Sequence, residues 1–230
     1  MTDRLLRKFP PYRAAQKRWH TWREGNPIPA KIVEYASLII CVAVLVFFLQ
    51  AFVVKPYSIP SGSMEPTLSV GQRILVDRAF FSPSVGQIVV FHPHQGASPS
   101  PICGSTLQAV QPGGAACAKA IPREDTSINY IKRIVAGPGD EIYILQGHVF
   151  RKARGSSTFV QEKAPYITPC DGQPECNFPT PITIPKGHWF MMGDNRGDSD
   201  DSRFWGAVPQ SWIVGAAFFT YWPLNRIGTL

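Results

Sequence analysis

The sequence predicts a mainly β protein that follows one N-terminal transmembrane helix. One uncharged apolar run, Tyr35 to Val54, is long enough to span a bilayer. The apolar runs after it are short, rich in β-branched residues and bounded by turn residues, which is typical of strands. No helical periodicity of comparable strength occurs outside the first run, so the rest of the chain is expected to be mostly β.

The apolar run Tyr35 to Val54 contains twenty residues and no Asp, Glu, Lys, Arg, Pro or Gly. A helix of this length is ~30 Å long, which matches the thickness of a hydrocarbon core. A buried core helix is the alternative, but such helices are shorter and keep one polar face. The basic region before the run is too long for a signal peptide, and no small-x-small cleavage site follows. We therefore interpret the run as an uncleaved anchor.

The charges predict how this anchor is oriented. Residues 1–34 carry eight basic and three acidic side chains, a net charge of +5, which leaves +2 of the overall +7 for the rest of the chain. By the positive-inside rule, residues 1–34 form a basic cytoplasmic tail, 35–54 span the membrane once, and 55–230 lie outside the cytoplasm. Because that outer region is nearly neutral, the high pI does not indicate nucleic-acid binding.

The outer region contains five segments with the pattern of strands. They are Arg73–Asp77, Gln87–Phe91, Tyr130–Val135, Glu141–Leu145 and Trp189–Met192. A further apolar stretch, Trp212–Trp222, is too short to span a membrane and is predicted to be a core strand. Segments rich in turn-forming residues at about 92–128 and 146–185 are expected to be insertions, the second forming a small subdomain.

The five cysteines divide by location. Cys41 lies in the predicted span, where it is expected to be a small buried apolar residue. Cys103, Cys117, Cys170 and Cys176 lie outside the cytoplasm in this topology, where disulfides persist. Three pairings are open, and the local one would join Cys103 to Cys117 and Cys170 to Cys176, one disulfide in each insertion. No C-x-x-C and no nearby histidine pair supports a zinc site, so no metal is expected.

A polar segment, Ser61 to Leu68, follows the anchor closely and contains the candidate nucleophile Ser63. Only eight residues, Lys55 to Gly62, separate the apolar run from Ser63. Even fully extended, such a tether reaches roughly 25–30 Å. Chemistry at Ser63 is therefore expected close to a membrane surface.

A serine nucleophile needs a base that takes its proton. None of the five histidines has a recognisable catalytic context, and there is no G-x-S-x-G motif, although the sequence leaves a histidine base open. Lys132 lies among apolar residues of a predicted strand, where loss of solvation would lower its pKa and make it a competent base. Taken alone, its position is simpler to interpret as an exposed lysine on a half-buried strand.

The segment Gly193 to Gly206 begins with four carboxylates in eight residues. It departs from the EF-hand pattern, because its glycine is misplaced and the terminal glutamate is absent. A solvated acidic turn is one interpretation. The other is a packed polar network beside an active site, in which Arg196 and Arg203 would pair with these acids.

Four sequence blocks, in this order behind an anchor, closely resemble the motifs of bacterial type I signal peptidases. The blocks are Ser61–Leu68, Gln87–Phe91, Tyr130–Arg133 with Gly137–Asp140, and Gly193–Gly206. The resemblance covers the span and roughly a third of the outer region. Asn129 and Phe204 depart from the Asp and Tyr that are common in the family, and Asn129 would alter the polarity of the substrate pocket.

The resemblance implies an antiparallel β-sheet catalytic domain of the signal-peptidase type with a serine–lysine dyad. Ser63 matches the nucleophile and Lys132 the general base. Ser61 matches the hydroxyl that joins the Ser63 backbone N–H in the oxyanion hole.

Further positions match supporting and substrate-binding residues of the family. Ser199 matches the hydroxyl that orients the lysine amine, and Asp201 and Arg203 match an ion pair that holds the last block in place. The positions that match the lining of shallow apolar substrate pockets are Ile59, Pro60, Met64, Leu68, Tyr130 and Ile131.

The resemblance also implies partners and a location. Substrates would be preproteins with small residues at −1 and −3, cleaved at the outer face of the bacterial inner membrane beside the protein export machinery. No cofactor, metal or nucleic acid is expected. Two alternatives stay open: a dedicated maturation peptidase of a conjugation or secretion system, and a non-catalytic anchored module that binds a cation in its acidic loop or acts in adhesion.

Overall fold

The computed structural model of the chain describes residues 10–92, 116, 129–168, 170, 172 and 176–230, with side chains from residue 16 onwards. Most of the first predicted insertion, with Cys103 and Cys117, lies outside the described residues. The chain divides into two compact units, and the boundary falls between Ala51 and Phe52.

The described part of the N-terminal unit, from residue 10 onwards, consists of two helices. Helix α1 spans Pro10–Gly25, and α2 spans Pro27–Phe48 and continues as a π-helical turn over Leu49–Val53. Within the described part of the chain, Pro27–Val53 is the one helix that is long and apolar enough to cross a membrane. It begins at Pro27 rather than at Tyr35 because proline is favourable in the first helical turn, where its missing N–H has no partner to lose.

The second unit is mainly β, and its antiparallel sheets confirm the predicted fold class. The larger sheet has the strand order β1-β2-β11-β3-β4-β9-β10, with β12 paired to β11, and all of these pairs are antiparallel. Its strands are β1 (Val54–Ser58), β2 (Arg73–Asp77), β3 (Ile88–Phe91), β4 (Tyr130–Ala136), β9 (His188–Met192), β10 (Val208–Pro209), β11 (Ile213–Trp222) and β12 (Gly228–Thr229).

All six predicted strands are present, but β1 was not predicted. The sequence suggested an extended tether from Lys55 to Gly62, whereas Val54–Ser58 forms β1 and pairs with β2 from Val54↔Asp77 to Ser58↔Arg73. Pro56 obscured this strand in the sequence. A proline is tolerated here because β1 lies at the edge of the sheet, where one side needs no hydrogen-bond donors.

The smaller sheet lies largely in the second predicted insertion. Its order is β7-β6-β5-β8, and its strands are β5 (Glu141–Leu145), β6 (His148–Lys152), β7 (Val160–Gln161) and β8 (Phe178–Thr183). The segment is therefore a four-stranded antiparallel sheet whose first strand precedes the predicted boundary at 146. The local disulfide Cys170–Cys176 is formed, as one of the open pairings had it.

Strands β3 and β4 form the centre of the larger sheet. Every residue of β3 is buried, which explains its uninterrupted apolar sequence. Strand β4 lies between β3 and β9, and Lys132 pairs with Val89 of β3. Lys132 is only 3 % exposed, so the interpretation as an exposed surface lysine is wrong.

Candidate active site

Ser63 lies on a short 3₁₀ turn, Gly62–Met64, that follows β1. The turn is anchored in the core because Met64 and Leu68 are buried in one apolar cluster with Ile59. Ser63 itself stays half-buried at the surface of this cluster. The buried neighbours therefore fix the backbone of Ser63, while its hydroxyl stays accessible.

Lys132 meets this serine from strand β4. Its Nζ donates a hydrogen bond to Ser63 Oγ at 2.6 Å. The two residues are distant in sequence and come together because the turn packs against the central strands of the sheet. A hydroxyl and an amine at this distance can exchange a proton directly.

The surroundings of Lys132 favour its neutral form. Burial lowers the pKa of Lys132 from 10.5 to about 8, and the charge of Arg203 acts in the same direction. The carboxylates of Asp201, Asp200 and Asp194 oppose this shift but do not cancel it. Loss of solvation is therefore the main reason why this lysine is a candidate base.

The hydroxyl of Ser61 lies beside the candidate nucleophile. Ser61 is exposed and extended at the start of the 3₁₀ turn, and its Oγ lies 3.4 Å from Ser63 Oγ. This arrangement places a second hydroxyl beside Ser63, in the same cavity that Lys132 lines.

Ser199 belongs to the loop Gly193–Asp201, called the acidic loop below, and it is buried close to Ser63. Among the described residues, its Oγ has no hydrogen-bond partner, and the predicted bond to the Lys132 amine is not formed. A Cβ built on Gly193 would lie 2.3 Å from Ser199 Oγ and 2.4 Å from the carbonyl oxygen of Ser63. Only glycine fits at position 193, because the acidic loop passes this close to the serine turn.

Asp201 and Arg203 form the predicted ion pair at the end of the acidic loop. Both are almost fully buried, and the carboxylate accepts from Arg203 Nε at 2.8 Å and Nη2 at 3.0 Å. Asp201 also caps helix α3 (Ser202–Trp205) and accepts from Gly193 N at 3.0 Å. Burial alone would raise the pKa of Asp201, but the charge and hydrogen bonds of Arg203 outweigh it and hold that pKa below its usual range.

Asp194 is paired with a residue that the sequence did not single out. Its carboxylate accepts from Arg133 Nε at 2.9 Å and Nη2 at 2.7 Å, and from Thr67 Oγ1 at 2.6 Å. Arg133 follows Lys132 in β4. Lys132 therefore contacts Ser63, and the adjacent Arg133 contacts Asp194 of the acidic loop. The position of Arg133 next to Lys132 in one motif was the only feature of the sequence that pointed to a role for this arginine.

Arg196 was expected to pair with acids of its own loop, and this expectation is wrong. Its guanidinium instead contacts Glu162, at 2.5 Å from Nη1 to Oε1 and 3.2 Å from Nη2 to Oε2. Glu162 follows β7 of the smaller sheet. Two acids of the loop have other partners, since Asp194 is bound by Arg133 and Asp201 by Arg203.

The same pairing argues against a cation site in the acidic loop. Two of its carboxylates are neutralised by arginines, and no group of three or more metal-ligating side chains occurs among the residues that the structure describes. The loop is a packed polar network rather than a solvated turn, since Asp194, Arg196 and Asp201 are all buried.

A cavity of ≈ 230 Å³ opens beside Ser63 and Lys132. Besides these two, its lining residues are Ile59, Pro60, Ser61, Met64, Asn129, Tyr130 and Ile131. Leu68, which was predicted to line the pocket, is fully buried beneath it. The wall is therefore largely apolar, with Asn129 as a polar exception whose Oδ1 lies 3.1 Å from His92 Nδ1.

Three known proteins are similar to this chain. A probable signal peptidase I-1 of Synechocystis is 35% identical over 213 residues, which cover 90% of this chain and 92% of that protein. Signal peptidase I of Pseudomonas aeruginosa is 31% identical over 269 residues, which cover 96% of this chain and 87% of that protein. A crystal structure of a signal peptidase I from Enterococcus faecalis matches with a TM-score of 0.34 and 18% identity, over 60% of this chain and 98% of that one.

The family model described as signal peptidase, peptidase S26, matches residues 32–222. This match contains the serine turn, strand β4 and the acidic loop, and thus every residue placed around the cavity. The chain belongs to the signal peptidase family, peptidase S26.

Proposed function

We propose that this protein is a membrane-anchored serine endopeptidase that removes N-terminal signal peptides from exported preproteins. Ser63 is the nucleophile and Lys132 the general base. The observation that supports this most directly is the 2.6 Å hydrogen bond between the buried Lys132 Nζ and Ser63 Oγ. Family membership and the names of the relatives support the substrate class.

The lowered pKa makes Lys132 an effective base near neutral pH. With a pKa of about 8, roughly a tenth of the amine is neutral at pH 7. An unperturbed lysine would be neutral in only about one molecule in 3,000 at this pH. Burial thus raises the population of the active protonation state by more than two orders of magnitude.

In the first half of the reaction, Ser63 Oγ attacks the carbonyl carbon of the residue at −1 while Lys132 takes the hydroxyl proton. The oxyanion that forms is bound by the Ser63 backbone N–H and the Ser61 hydroxyl. One such donor is typically worth ~10²–10³ in rate. When the peptide bond breaks, Lys132 returns the proton to the amine of the departing mature protein.

In the second half, a water molecule hydrolyses the acyl-enzyme on Ser63. Lys132 takes a proton from the water as it attacks the ester carbonyl, and the same oxyanion donors stabilise the second tetrahedral intermediate. Collapse of that intermediate releases the signal peptide with a free carboxylate. Lys132 then returns its proton to Ser63 Oγ, which regenerates the dyad.

Ser199, Asp201 and Arg203 keep the base in place. Ser199 Oγ is buried without a partner among the described residues, and in this proposal it accepts from the Lys132 amine and orients it during the reaction. Asp201 and Arg203 fix the end of the acidic loop, since Arg203 Nη2 also donates to the Ser199 carbonyl at 3.1 Å. These residues act on the lysine rather than on the substrate.

The cavity suits small apolar side chains at −1 and −3 of a signal peptide. Its apolar wall is formed by Ile59, Pro60, Met64, Tyr130 and Ile131, while Leu68 supports that wall from beneath. Larger side chains would have to displace buried groups such as Met64, which is 1% exposed, at the cost of repacking the core.

The N-terminal helix supports the proposed location. Pro27–Val53 anchors the enzyme once in the bacterial inner membrane, with the basic tail in the cytoplasm and the catalytic domain, residues 55–230, outside it. An enzyme held in this way meets cleavage sites where preproteins leave the bilayer, beside the export machinery.

The decisive experiment is cleavage of a preprotein with an A-x-A site by the full chain in detergent. Ser63→Ala and Lys132→Ala should each give no detectable product while keeping the folded circular-dichroism spectrum. Ser58→Ala, which changes an exposed serine of β1, serves as the matched control and should cleave normally. Full activity of a folded Lys132→Ala variant would rule out the dyad.

A further inference from the structure

We infer that Glu162 of the smaller sheet is a positioning residue that holds the acidic loop, and through it Ser63, by binding Arg196. The inference rests on the proposed function. Glu162 lies outside every motif by which the sequence resembles its family. This role would give the smaller sheet a part in catalysis, although that sheet contributes no residue to the cavity around Ser63.

The contact between Arg196 and the smaller sheet is buried and specific. Arg196 is 1% exposed and binds both carboxylate oxygens of Glu162, and its Nη1 also donates to the carbonyl of Gly147 in the β5–β6 turn. Glu162 is itself fixed by β6, since its Oε1 accepts from Val149 N at 2.9 Å and its N donates to Val149 O at 2.8 Å. The carboxylate is thus rigidly mounted on the sheet.

The other side of Arg196 connects directly to the active site. Its Nε donates to the Gly193 carbonyl at 3.0 Å. The preceding residue, Asn195, donates from N to Ser63 O at 3.1 Å and from Nδ2 to Gly62 O at 3.3 Å. A displacement of Arg196 would therefore move both the glycine and the asparagine that contact the serine turn.

The local sequence permits this close docking. Gly147 has φ +78, and a Cβ there would lie 3.0 Å from both Arg196 Cβ and Cys170 Cβ. The β5–β6 turn therefore admits the arginine only because it has no side chain at this point. The disulfide between Cys170 and Cys176 packs against the same turn, and Gly147 N donates to the Cys176 carbonyl at 2.9 Å.

The chemistry of arginine explains why loss of Glu162 would affect the loop. A guanidinium stays protonated at any accessible pH, so a buried Arg196 without its partner cannot relieve the cost by losing its charge. The Arg196 side chain would instead turn toward water, and the acidic loop would be displaced together with it. Displacements of about 1 Å at a catalytic centre cost on the order of 10²-fold in rate.

The test uses Glu162→Gln and Glu162→Asp in the full chain, assayed with the A-x-A preprotein. We expect Glu162→Gln to lower kcat by roughly 10–100-fold with KM changed less than about threefold. Glu162→Asp, which keeps the charge, should recover part of the loss. In Glu162→Gln the apparent pKa of Lys132 should also rise from about 8, because a loosened loop admits water to a lysine that faces Asp194, Asp200, Asp201 and Arg203.

The control is Asp140→Asn, which removes a buried carboxylate of the same sheet. Asp140 accepts from Arg151 Nη1, Gly137 N and Arg154 N and does not bind the acidic loop. This variant should lose stability but keep the wild-type kcat and pH profile once folded. A merely structural role of Glu162 would give the same pattern and would overturn the inference.

A second variant covers the case in which Glu162→Gln does not fold. Glu162→Gln combined with Arg196→Met removes both charges, so no unpaired charge stays buried. The Gly193 carbonyl nevertheless loses the hydrogen bond that it accepts from Arg196 Nε. We expect this protein to fold and to keep the reduced kcat. Wild-type kcat in the double variant would refute the positioning role while leaving the proposed function intact, whereas an inactive wild-type protein would refute the proposed function itself.

Discussion

The pH dependence of cleavage tests the lysine base most sharply. If neutral Lys132 is the active form, kcat/KM rises with pH and levels off above the pKa of the free enzyme, which is about 8. For this value the neutral fraction rises about 50-fold from pH 6 to pH 8 and then only about twofold from pH 8 to pH 10.

An ordinary lysine would behave differently in the upper half of this range. With a pKa of 10.5, the neutral fraction would still rise about 75-fold from pH 8 to pH 10. The comparison of rates at these two pH values therefore separates a desolvated lysine from a solvated one by more than an order of magnitude.

The assay measures kcat/KM for the A-x-A preprotein between pH 6 and pH 10, with a substrate that has no titratable side chain near the cleavage site. Circular dichroism at each pH shows that the enzyme stays folded. A rise of kcat/KM by about 75-fold between pH 8 and pH 10, as for a solvated lysine, would refute the desolvation argument. A limb centred near pH 6.5 would instead point to a histidine base.

Two further predictions concern the acidic loop. Asp200→Asn removes a carboxylate that raises the pKa of Lys132, so the acidic limb of the same pH profile should move below 8, and an unchanged limb would show that Asp200 does not act on the lysine. Gly193→Ala introduces a Cβ 2.3 Å from Ser199 Oγ and 2.4 Å from Ser63 O. We expect kcat to fall by on the order of 10²-fold and thermal melting to show a free energy of unfolding lower by about 1–3 kcal/mol. A wild-type kcat would mean that the acidic loop can shift without affecting the site.

The strands were predictable where their sequences are continuous. Gln87–Phe91 has an uninterrupted apolar run because β3 is buried in the middle of the larger sheet, and β4 has apolar residues on both sides of Lys132 and Arg133. Strands β1 and β8 were missed because prolines interrupt them, while β6 and β7 lack a continuous apolar run. Pro179 and Pro181 lie in β8, which is an edge strand and tolerates them.

The candidate dyad was predictable from motifs, but the burial of Lys132 was not. Alternation along β4 gives the side to which each residue points, and says nothing about whether that side is covered. The serine turn and the acidic loop cover it, and both come from distant parts of the chain. Only the structure shows that the lysine lies 2.6 Å from Ser63 and is 3% exposed.

The ion pairs around the site left no local signal in the sequence. Arg133 and Asp194 are 61 residues apart, and Arg196 and Glu162 are 34 apart. The sequence suggested pairs within the acidic loop because its acids and arginines are neighbours there. Arg203 does bind the nearby Asp201, whereas Arg196 binds Glu162 of a distant segment.

These pairs hold the acidic loop from two directions. Arg133 binds Asp194 from β4, the strand that also carries Lys132, so the base and the loop move with one element of the larger sheet. Glu162 binds Arg196 from the smaller sheet. Ser63 lies between them and contacts the loop through its carbonyl oxygen and Asn195 N, at 3.1 Å. The proposed dyad depends on one 2.6 Å hydrogen bond, so in the proposed mechanism the acidic loop has to hold its position while Lys132 exchanges protons with serine, amine and water.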